Sequence, residues 1–350
     1  MRDNPYYSQA NHGPFETYRL GSFSLEEGGS IPDCDLAYAT FGQLNKSKSN
    51  AILVLTWYGG TSKIMEQAYI GQGRALDPEK YFIICVNQIG NGLSSSPHNH
   101  PCSSADSGFP KVRIGDDVVA QHRLLTQRFE LDNLALVVGG SMGAQQTYEW
   151  AVRYPEMVKR AAAIAGTAQN TDHDFLFTAS LVDAITSDPK WRDGKYESHL
   201  DVVAGLKRHA GIWAVMGLST EFYQTQAWRD MGLDSVEQFQ TEFLEATFTE
   251  MDPNNLLCMA WKWQHGDVAR HTAGDLAGAL GRISAKTFVM PIDEDMFFPP
   301  RDCVREQELI NDSEIRVLNS VCGHVALFGT EPQFLSQVDE NLRELLECDV

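Results

Sequence analysis

The chain is poor in basic residues for its 350 positions: 28 lysines and arginines face 47 aspartates and glutamates, which gives a formal net charge of −19. An acidic surface repels nucleic-acid phosphates and anionic lipid headgroups, so we expect neither a nucleic-acid partner nor a membrane partner. Apolar residues still make up 43% of the chain, which is enough for a full core and argues against a disordered protein.

Targeting and disulfide signals are also missing. The N-terminus leads into polar residues instead of an apolar signal segment, and no apolar run is long enough to span a bilayer. The seven cysteines are odd in number, scattered along the chain and without a C-x-x-C pair. This usage is typical of a reducing compartment rather than of a disulfide-stapled protein, so we expect a cytoplasmic location.

Motifs for cofactors are absent as well. The sequence contains neither the phosphate-cradling G-x-x-x-x-G-K-[ST] nor a dinucleotide-binding G-x-G-x-x-G between a strand and a helix. His98, His100 and Cys102 could suggest a metal site, but they lie in a loop rich in proline and serine and lack a fourth clustered ligand. We expect no metal and no bound cofactor.

Several short apolar runs alternate with helical patterns. Runs with the length and composition of buried strands occupy residues 51–57, 81–86, 134–138, 160–165 and 286–291. The run 36–41 alternates only weakly and predicts an edge strand. Strands that alternate with helices predict an α/β fold in which helices cover both faces of a mostly parallel central sheet.

The pattern breaks between about residues 167 and 271. No strand is evident there, and tryptophan, methionine, phenylalanine and helix-forming residues are frequent. We interpret this stretch as a helical insertion that forms a lid over the sheet, with its aromatic side chains mainly in packing roles. The core domain then consists of residues 1–166 and 272–350, and the lid of residues 167–271.

The sharpest motif is Gly139-Gly140-Ser141-Met142-Gly143, which fits G-x-S-x-G. It follows directly on an apolar strand and precedes a helix predicted over residues 142–153, which is the context of a nucleophile elbow. The glycines permit the tight turn, and the serine hydroxyl then stands exposed on it as a nucleophile. The N–H of Met142, at the start of the helix, can stabilise the oxyanion that forms when Ser141 attacks a carbonyl.

A serine hydroxyl needs a base, and the base needs an orienting acid. After such an elbow these follow along the chain in the order acid, then histidine. Asp293, Glu294 and Asp295 follow the strand 286–291, at the strand end where active sites of α/β proteins form. Asp295 is the predicted acid, because a short loop after the strand and the D-x-x-x-P spacing fit, and Asp293 is the alternative. His324 is the predicted base, because it lies just past a last strand predicted over residues 314–318 and before a last helix predicted over about residues 332–346.

The loop after the strand 51–57 should supply the second oxyanion donor. It reads Thr56-Trp57-Tyr58-Gly59-Gly60, and the paired glycines allow the backbone to fold back toward Ser141. We assign the donor to the N–H of Tyr58, to within one position, and place Trp57 among the candidate substrate contacts.

Over nearly its whole length the chain resembles the homoserine O-acetyltransferase family of the α/β-hydrolase superfamily. The stretches that carry the resemblance are residues 75–77, 81–85, 139–146, 149–151, 153–155, 295–300 and 323–324. The resemblance implies the α/β-hydrolase fold with a helical lid, a catalytic triad of Ser141, Asp295 and His324, and a ping-pong route through an acyl-enzyme. It also implies a homodimer formed largely through the lids.

Two further positions bear on the substrate within this resemblance. In the transferases an acid follows the catalytic histidine and holds the substrate amino group, whereas this chain has Val325, which cannot pair with an ammonium. Arg208 matches the arginine that binds the substrate carboxylate, and could equally lie on the lid surface. The stretches 89–97 and 261–267 look more like the hydrolase-like branch of the family, which includes esterases of short acyl esters.

The leading interpretation is a serine hydrolase that cleaves a small ester, with a thioester or lactone as further options, through an acyl-enzyme on Ser141. The alternative is an O-acyltransferase that uses acyl-CoA as a co-substrate and passes the acyl group to a small alcohol. An accessory protein without acyl chemistry is a third option, since a fold alone does not fix function. The order serine, acid, histidine argues against it.

Overall fold

The computed structural model describes residues 2–104 and 108–350. The strands are β1 Glu16–Ser24, β2 Ser30–Phe41, β3 Ala51–Leu55, β4 Phe82–Val86, β5 Leu136–Gly140, β6 Arg160–Ile164, β7 Lys286–Met290 and β8 Ser313–Ile315. They form one sheet in the order β1-β2-β4-β3-β5-β6-β7-β8, in which β1, β2 and β4 pair antiparallel and the remaining neighbours pair parallel. The predicted α/β architecture with a mostly parallel sheet is confirmed.

The inner strands coincide with the apolar runs of the sequence because their residues are buried on both faces of the sheet. Every residue of β3 and β4 is buried, as expected when helices cover both faces of a parallel sheet and no alternation of polar residues is possible. The carboxyl ends of these parallel strands share one edge of the sheet, and loops that leave this edge carry the candidate catalytic residues.

The prediction of an edge strand over residues 36–41 is wrong. These residues belong to β2, which lies inside the sheet between β1 and β4, and the edge is formed by β1. Phe23 alone is buried in β1, so this strand carries no apolar pattern from which it could be predicted. It is held by antiparallel pairing, from Glu16 opposite Tyr38 to Ser24 opposite Ser30.

Helices fill the connections between the strands. The α-helices are α1 Gln9–His12, α2 Ser62–Tyr69, α3 Ile114–Arg123, α4 Met142–Arg153, α5 Asp172–Thr186, α6 Val203–Met216, α7 Thr220–Gln224, α8 Val236–Gln238, α9 Ala246–Thr249, α10 Pro253–Gln264, α11 Leu276–Leu280, α12 Pro300–Gln307 and α13 Pro332–Glu347. Short 3-10 turns occupy Pro5–Tyr7, Pro101–Ser104, Arg192–Gly194, His199–Val202, Ala227–Met231, Val268–Thr272 and Gly323–Phe328, and π-helical turns occupy Leu124–Arg128 and Phe239–Glu245. Within residues 2–104 and 108–350, no helix combines the length and the apolar character that a membrane crossing requires.

Helices α5 to α10 lie in the long connection between β6 and β7, and the two ends of this connection meet. Gln169 and Asp267 form an isolated antiparallel bridge, and the N–H of Val268 donates to the carbonyl oxygen of Ala168. Above this base, α5 packs against both α6 and α10. The division into a core of residues 1–166 and 272–350 and a lid of residues 167–271 stays a proposal, which the closed base supports.

Glu306, in α12, binds the first residues of the stretch 167–271. Its carboxylate accepts hydrogen bonds from the hydroxyl of Thr167 and from the N–H groups of Ala168, at 3.0 Å, and Gln169, at 3.4 Å. Burial raises the pKa of Glu306 to about 7, and the three hydrogen bonds lower it only in part. The charge of Asp174 contributes to the raised pKa.

This raised pKa predicts that stability depends on pH through Glu306. The folded protein holds the Glu306 proton more tightly than the unfolded chain, so the free energy of unfolding falls as the pH rises from about 4.5 to about 7. The fall is on the order of 3 kcal/mol for this group. Urea unfolding at pH 5 and pH 8 measures it, and the fall should be smaller by that amount in Glu306→Gln. Equal pH dependence in the two proteins would contradict the prediction.

Candidate active site

The turn between β5 and α4 has the geometry of a nucleophile elbow. Ser141 adopts φ 55° and ψ −122°, a conformation that residues with a side chain rarely adopt. The neighbouring glycines let strand and helix approach closely. A Cβ on Gly139 would lie 2.4 Å from the carbonyl carbon of Gly143, and a Cβ on Gly143 would lie 2.5 Å from the carbonyl oxygen of Leu55. The turn therefore depends on these glycines and places Ser141 at the carboxyl edge of the sheet.

The structure brings Ser141, His324 and Asp295 together from three separate parts of the chain. Nε2 of His324 lies 2.8 Å from Oγ of Ser141, and Nδ1 lies 2.7 Å from Oδ2 of Asp295. All three residues are buried. When Nδ1 carries the proton that Asp295 accepts, Nε2 is free to accept the proton of the serine hydroxyl. This is the arrangement that nucleophilic attack by a serine requires.

The other two acids of the loop after β7 do not reach the histidine. Asp293 and Glu294 are exposed, and Oδ1 of Asp293 accepts hydrogen bonds from the N–H groups of Glu294 and Ser320. The second oxygen of Asp295 accepts from the N–H groups of Phe297 and Phe298, at 2.8 and 3.1 Å. These two bonds fix the carboxylate toward His324. The geometry therefore favours Asp295 over the alternative Asp293.

Both predicted oxyanion donors border the nucleophile. Met142 follows Ser141 as the first residue of α4, and Tyr58 lines the same cavity as Ser141. Among the hydrogen bonds of the described residues, neither N–H has a protein acceptor, so both can bind a substrate oxygen. The Tyr58 side chain is fixed by hydrogen bonds at 3.1 Å to Leu256 and to His209, whose pKa is lowered to about 3 by burial. The histidine is therefore neutral and adds no charge beside the site.

A small apolar cavity lies against Ser141 and His324. Its volume is about 30 Å³. The other side chains and backbone that line it come from both the core and the lid: Trp57, Tyr58, Gly59, Ile64, Trp213, Thr247, Phe248, Met251, Leu327 and Phe328. A wider surface cleft of about 790 Å³ elsewhere on the molecule contains none of the three triad residues. The candidate site is therefore marked by the contacts among Ser141, His324 and Asp295 and not by the larger of the two volumes.

Of the three candidate substrate contacts, Trp57 alone lines this cavity. Arg208 lies on the exposed side of α6, where its guanidinium donates to the carbonyl oxygen of Ala184 and the hydroxyl of Ser187. Val325 is buried, its N–H donates to the carbonyl oxygen of Gly217, and it does not line the cavity. The structure therefore does not bring Arg208 or Val325 to the cavity at Ser141.

Trp213, Phe248 and Met251 line the cavity but were not among the individual site predictions. All three are buried and belong to the stretch 167–271. The abundance of aromatic residues and methionine in this stretch was the available signal, but it does not distinguish cavity residues from the packing of the lid. Which of them reach Ser141 depends on how the lid helices pack over the core.

In the part of the loop after β4 that the structure describes, the histidine side chains contact other protein groups. Nδ1 of His98 lies 2.8 Å from the side-chain amide of Asn255. Nε2 of His100 lies 2.7 Å from the carbonyl oxygen of Pro32, and Nδ1 lies 2.9 Å from Sγ of Cys102. Within residues 2–104 and 108–350, no three His, Cys, Asp or Glu side chains are grouped so that they could hold a metal ion.

Comparison of the sequence and the structure with known proteins shows the family to which the chain belongs. The model of the alpha/beta hydrolase fold family matches residues 50–329. The chain belongs to this family. It is 62% identical over 343 residues to an ethyl acetate hydrolase of Pseudomonas veronii, with 98% of each chain covered.

Two other relatives are an esterase and a transferase. The crystal structure of an acetylester hydrolase from Corynebacterium glutamicum superimposes with a TM-score of 0.98, at 58% identity, over 99% of this chain and 100% of that one. A homoserine O-acetyltransferase of Thermobifida fusca is 32% identical over 92% of this chain and 90% of its own length. The predicted family resemblance and its hydrolase-like branch are thereby confirmed.

Proposed function

We propose that this protein is a serine esterase that hydrolyses small acyl esters through an acyl-enzyme on Ser141. The observation that carries the proposal is the contact of Ser141 with His324, and of His324 with Asp295, beside an apolar cavity of about 30 Å³. The cavity is small and its lining is almost entirely apolar, which supports a substrate with a short, uncharged acyl group. The relatives named ethyl acetate hydrolase and acetylester hydrolase support the same chemistry.

In the first half of the reaction Ser141 attacks the ester carbonyl. His324 Nε2 takes the hydroxyl proton as a bond forms between Oγ and the carbonyl carbon, and Asp295 stabilises the resulting imidazolium. The N–H groups of Met142 and Tyr58 bind the negative oxygen, and each such donor contributes a few kcal/mol, on the order of 3. The imidazolium then gives its proton to the alcohol oxygen, which leaves as the alcohol and yields acyl-Ser141.

Water completes the reaction. His324 Nε2 removes a proton from a water molecule as its oxygen bonds to the acyl carbon, and the same two N–H groups hold the second oxyanion. The bond to Oγ then breaks, and Ser141 recovers the proton from the imidazolium. The products are one carboxylic acid and one alcohol, and no metal or cofactor takes part.

The lining of the cavity favours hydrolysis over transfer to homoserine. None of the residues that line it is an aspartate, a glutamate, a lysine or an arginine. An amino acid acceptor would bring an ammonium and a carboxylate, and burying either without a partner costs several kcal/mol, roughly 3 or more. Val325 and Arg208, the two positions that could have held these groups, do not line the cavity. An acyl-CoA-dependent transferase with an uncharged alcohol as acceptor remains the alternative.

A panel of substrates separates these activities. Purified protein should release acid from ethyl acetate faster than from ethyl butyrate or ethyl hexanoate, by about tenfold or more in kcat/KM, since overfilling a packed site costs about 1–3 kcal/mol. Acetyl-CoA with homoserine should release no CoA above the rate without homoserine. CoA release that depends on an added alcohol, with no ester hydrolysis, would replace the esterase by a transferase.

Two matched methionine variants test whether the cavity sets the acyl length. Met251 and Met259 are both buried, but Met251 alone lines the cavity. Met251→Ala should raise kcat/KM for ethyl butyrate relative to ethyl acetate by about tenfold, because it removes a side chain that limits the space beside Ser141. Met259→Ala should lose comparable stability and keep the wild-type preference. The same shift in both variants would show that general loosening, and not the cavity, sets the preference.

We also propose a homodimer that forms through the lid. Exposed apolar side chains on α5 and α6, namely Phe175, Leu176 and Val215, support it, because large exposed apolar residues mark surfaces that other chains cover.

A nucleic acid or a membrane is not proposed as a partner of a chain with net charge −19. All seven cysteines are free thiols, which supports a cytoplasmic location.

A further inference from the structure

The loop that carries Tyr58 is held by two buried glutamines. The carbonyl oxygen of Thr56 accepts hydrogen bonds from Nε2 of Gln88, at 2.7 Å, and from Nε2 of Gln146, at 2.9 Å. Both glutamine side chains are fully buried. Burying an amide without a hydrogen-bond partner lowers the stability of the fold. The carbonyl oxygen of Thr56 is such a partner for both amides, so the two side chains hold this part of the loop.

The direction of the Tyr58 N–H is set in the next peptide unit, which Gln88 also contacts. The peptide between Trp57 and Tyr58 is trans, so its C=O and N–H point to opposite sides. The carbonyl oxygen of Trp57 accepts from the N–H of Gly60 at 3.1 Å, and Nε2 of Gln88 lies 3.5 Å from it. Contacts that fix this oxygen therefore fix where the N–H of Tyr58 points.

Gln146 also links the loop to the other oxyanion donor. It lies one helical turn after Met142 in α4, and its Nε2 is 3.4 Å from the carbonyl oxygen of Met142. One amide thus contacts Thr56 on the loop after β3 and the first residue of the helix after β5. The separation between the two donors is held by a side chain that contacts both segments.

Each glutamine is itself held so that its NH2 group faces Thr56. Oε1 of Gln146 accepts from Nε2 of Gln121 at 2.7 Å, and Oε1 of Gln121 accepts from Nε1 of Trp150 at 2.7 Å. This chain of donors leaves Gln146 in one amide orientation, because a flipped amide would place NH2 against NH2.

Gln88 is oriented by a buried ion pair. Lys262, in α10, pairs with Asp117, in α3, and both side chains are fully buried. Nζ of Lys262 also donates to the carbonyl oxygen of Ile89 at 2.6 Å and lies 3.5 Å from Oε1 of Gln88. Asp117 accepts from the N–H of Ile89 at 2.8 Å. A positive charge beside Oε1 favours the orientation in which the NH2 of Gln88 faces Thr56.

We propose that Gln146 and Gln88 are positioning residues of the oxyanion hole, which hold the loop segment 56–58 so that the N–H of Tyr58 stays in place for the oxygen that becomes negative during acyl transfer. The inference rests on the esterase function proposed above. It assigns a role to two side chains that do not line the cavity at Ser141, so they act through the loop and not by contact with the substrate. Their effect should therefore appear in the transition state and not in substrate binding.

Gln146→Met and Gln88→Met test the role separately, since methionine has a similar length and cannot donate. Each variant should have a kcat for ethyl acetate that is lower by about 10- to 100-fold, with KM changed by no more than about twofold. The expected loss is smaller than the roughly 10²- to 10³-fold loss in kcat that removal of a whole oxyanion donor causes. A trifluoromethyl ketone, which forms a tetrahedral adduct with an oxyanion, should bind each variant more weakly by the same factor. All rates are counted per active serine, titrated with a phosphonate, so unfolded protein does not enter the comparison.

Gln145→Met is the matched control. Gln145 is the adjacent buried glutamine of α4, but its Nε2 donates to Asn170 at 2.7 Å and not to the loop, so kcat and ketone affinity should be unchanged. If both test variants keep wild-type kcat and ketone affinity per active serine, the positioning role is overturned and the esterase function stands. If the wild-type protein neither hydrolyses esters nor reacts with the phosphonate, both proposals are overturned. If one variant does not fold, the other decides.

Discussion

Ser141→Ala is expected to abolish ester hydrolysis, with kcat lower by about 10⁶-fold. In the proposed mechanism the acyl group is bound covalently to Ser141, and the two oxyanion donors act on the tetrahedral intermediate that this serine creates. The substitution removes one hydroxyl, whose hydrogen bond goes to Nε2 of His324. The elbow, the glycines and the packing of α4 on β5 keep their contacts, so the thermal midpoint should shift by only a few degrees. The measurement is turnover of ethyl acetate together with thermal unfolding.

Covalent labelling makes this result specific to one residue. A phosphonate ester should label the wild-type protein once per chain, with the label on Ser141, and should leave Ser141→Ala unlabelled. Ser180→Ala, an exposed serine on α5, serves as the control and should keep both labelling and turnover. Turnover retained by a folded Ser141→Ala protein would remove the acyl-enzyme from the mechanism.

The parts of the fold that could be predicted are those with a local signal. The helix predicted over 142–153 has the same bounds in the structure, because the strand, the glycine turn and the helix start follow one another without a gap. β3 and β4 could be predicted because unbroken apolar runs need burial on both sides. Ser141 and Asp295 could be predicted to lie together because parallel strands end at one edge of the sheet. The chain order serine, acid, histidine then left His324 as the candidate among ten histidines.

What could not be predicted depends on contacts between distant parts of the chain. β1 is a strand because it pairs with β2, and its own residues are mostly exposed. Lys262 and Asp117 are 145 positions apart, and neither sequence context indicates that they meet in the core. The position of Arg208 could have been found: Leu206, Ala210 and Trp213 form the buried face of α6, which places Arg208 on the other side.

Asp295→Asn is expected to lower kcat by about 10⁴-fold while the protein stays folded. Asparagine keeps the size of the side chain, and its oxygen can still accept from the N–H groups of Phe297 and Phe298. Its NH2 group then faces Nδ1 of His324, so the imidazole must accept there and carry its proton on Nε2. In that tautomer Nε2 donates toward Ser141 and cannot take the serine proton. KM for ethyl acetate should change little, because Asp295 does not line the cavity.

Asp293→Asn tests whether the effect belongs to the triad or to the acidic loop. The two aspartates are two residues apart, but Asp293 is exposed and accepts from backbone N–H groups of Glu294 and Ser320, contacts that an asparagine oxygen can retain. It should keep kcat within about threefold, since the net effect of one such hydrogen bond is on the order of 1 kcal/mol or less. Equal losses in the two variants would mean that the charge of the loop, and not the tautomer of His324, limits the reaction. A large loss in Asp295→Asn alone assigns the orienting role to Asp295, because only that carboxylate lies within hydrogen-bond distance of Nδ1.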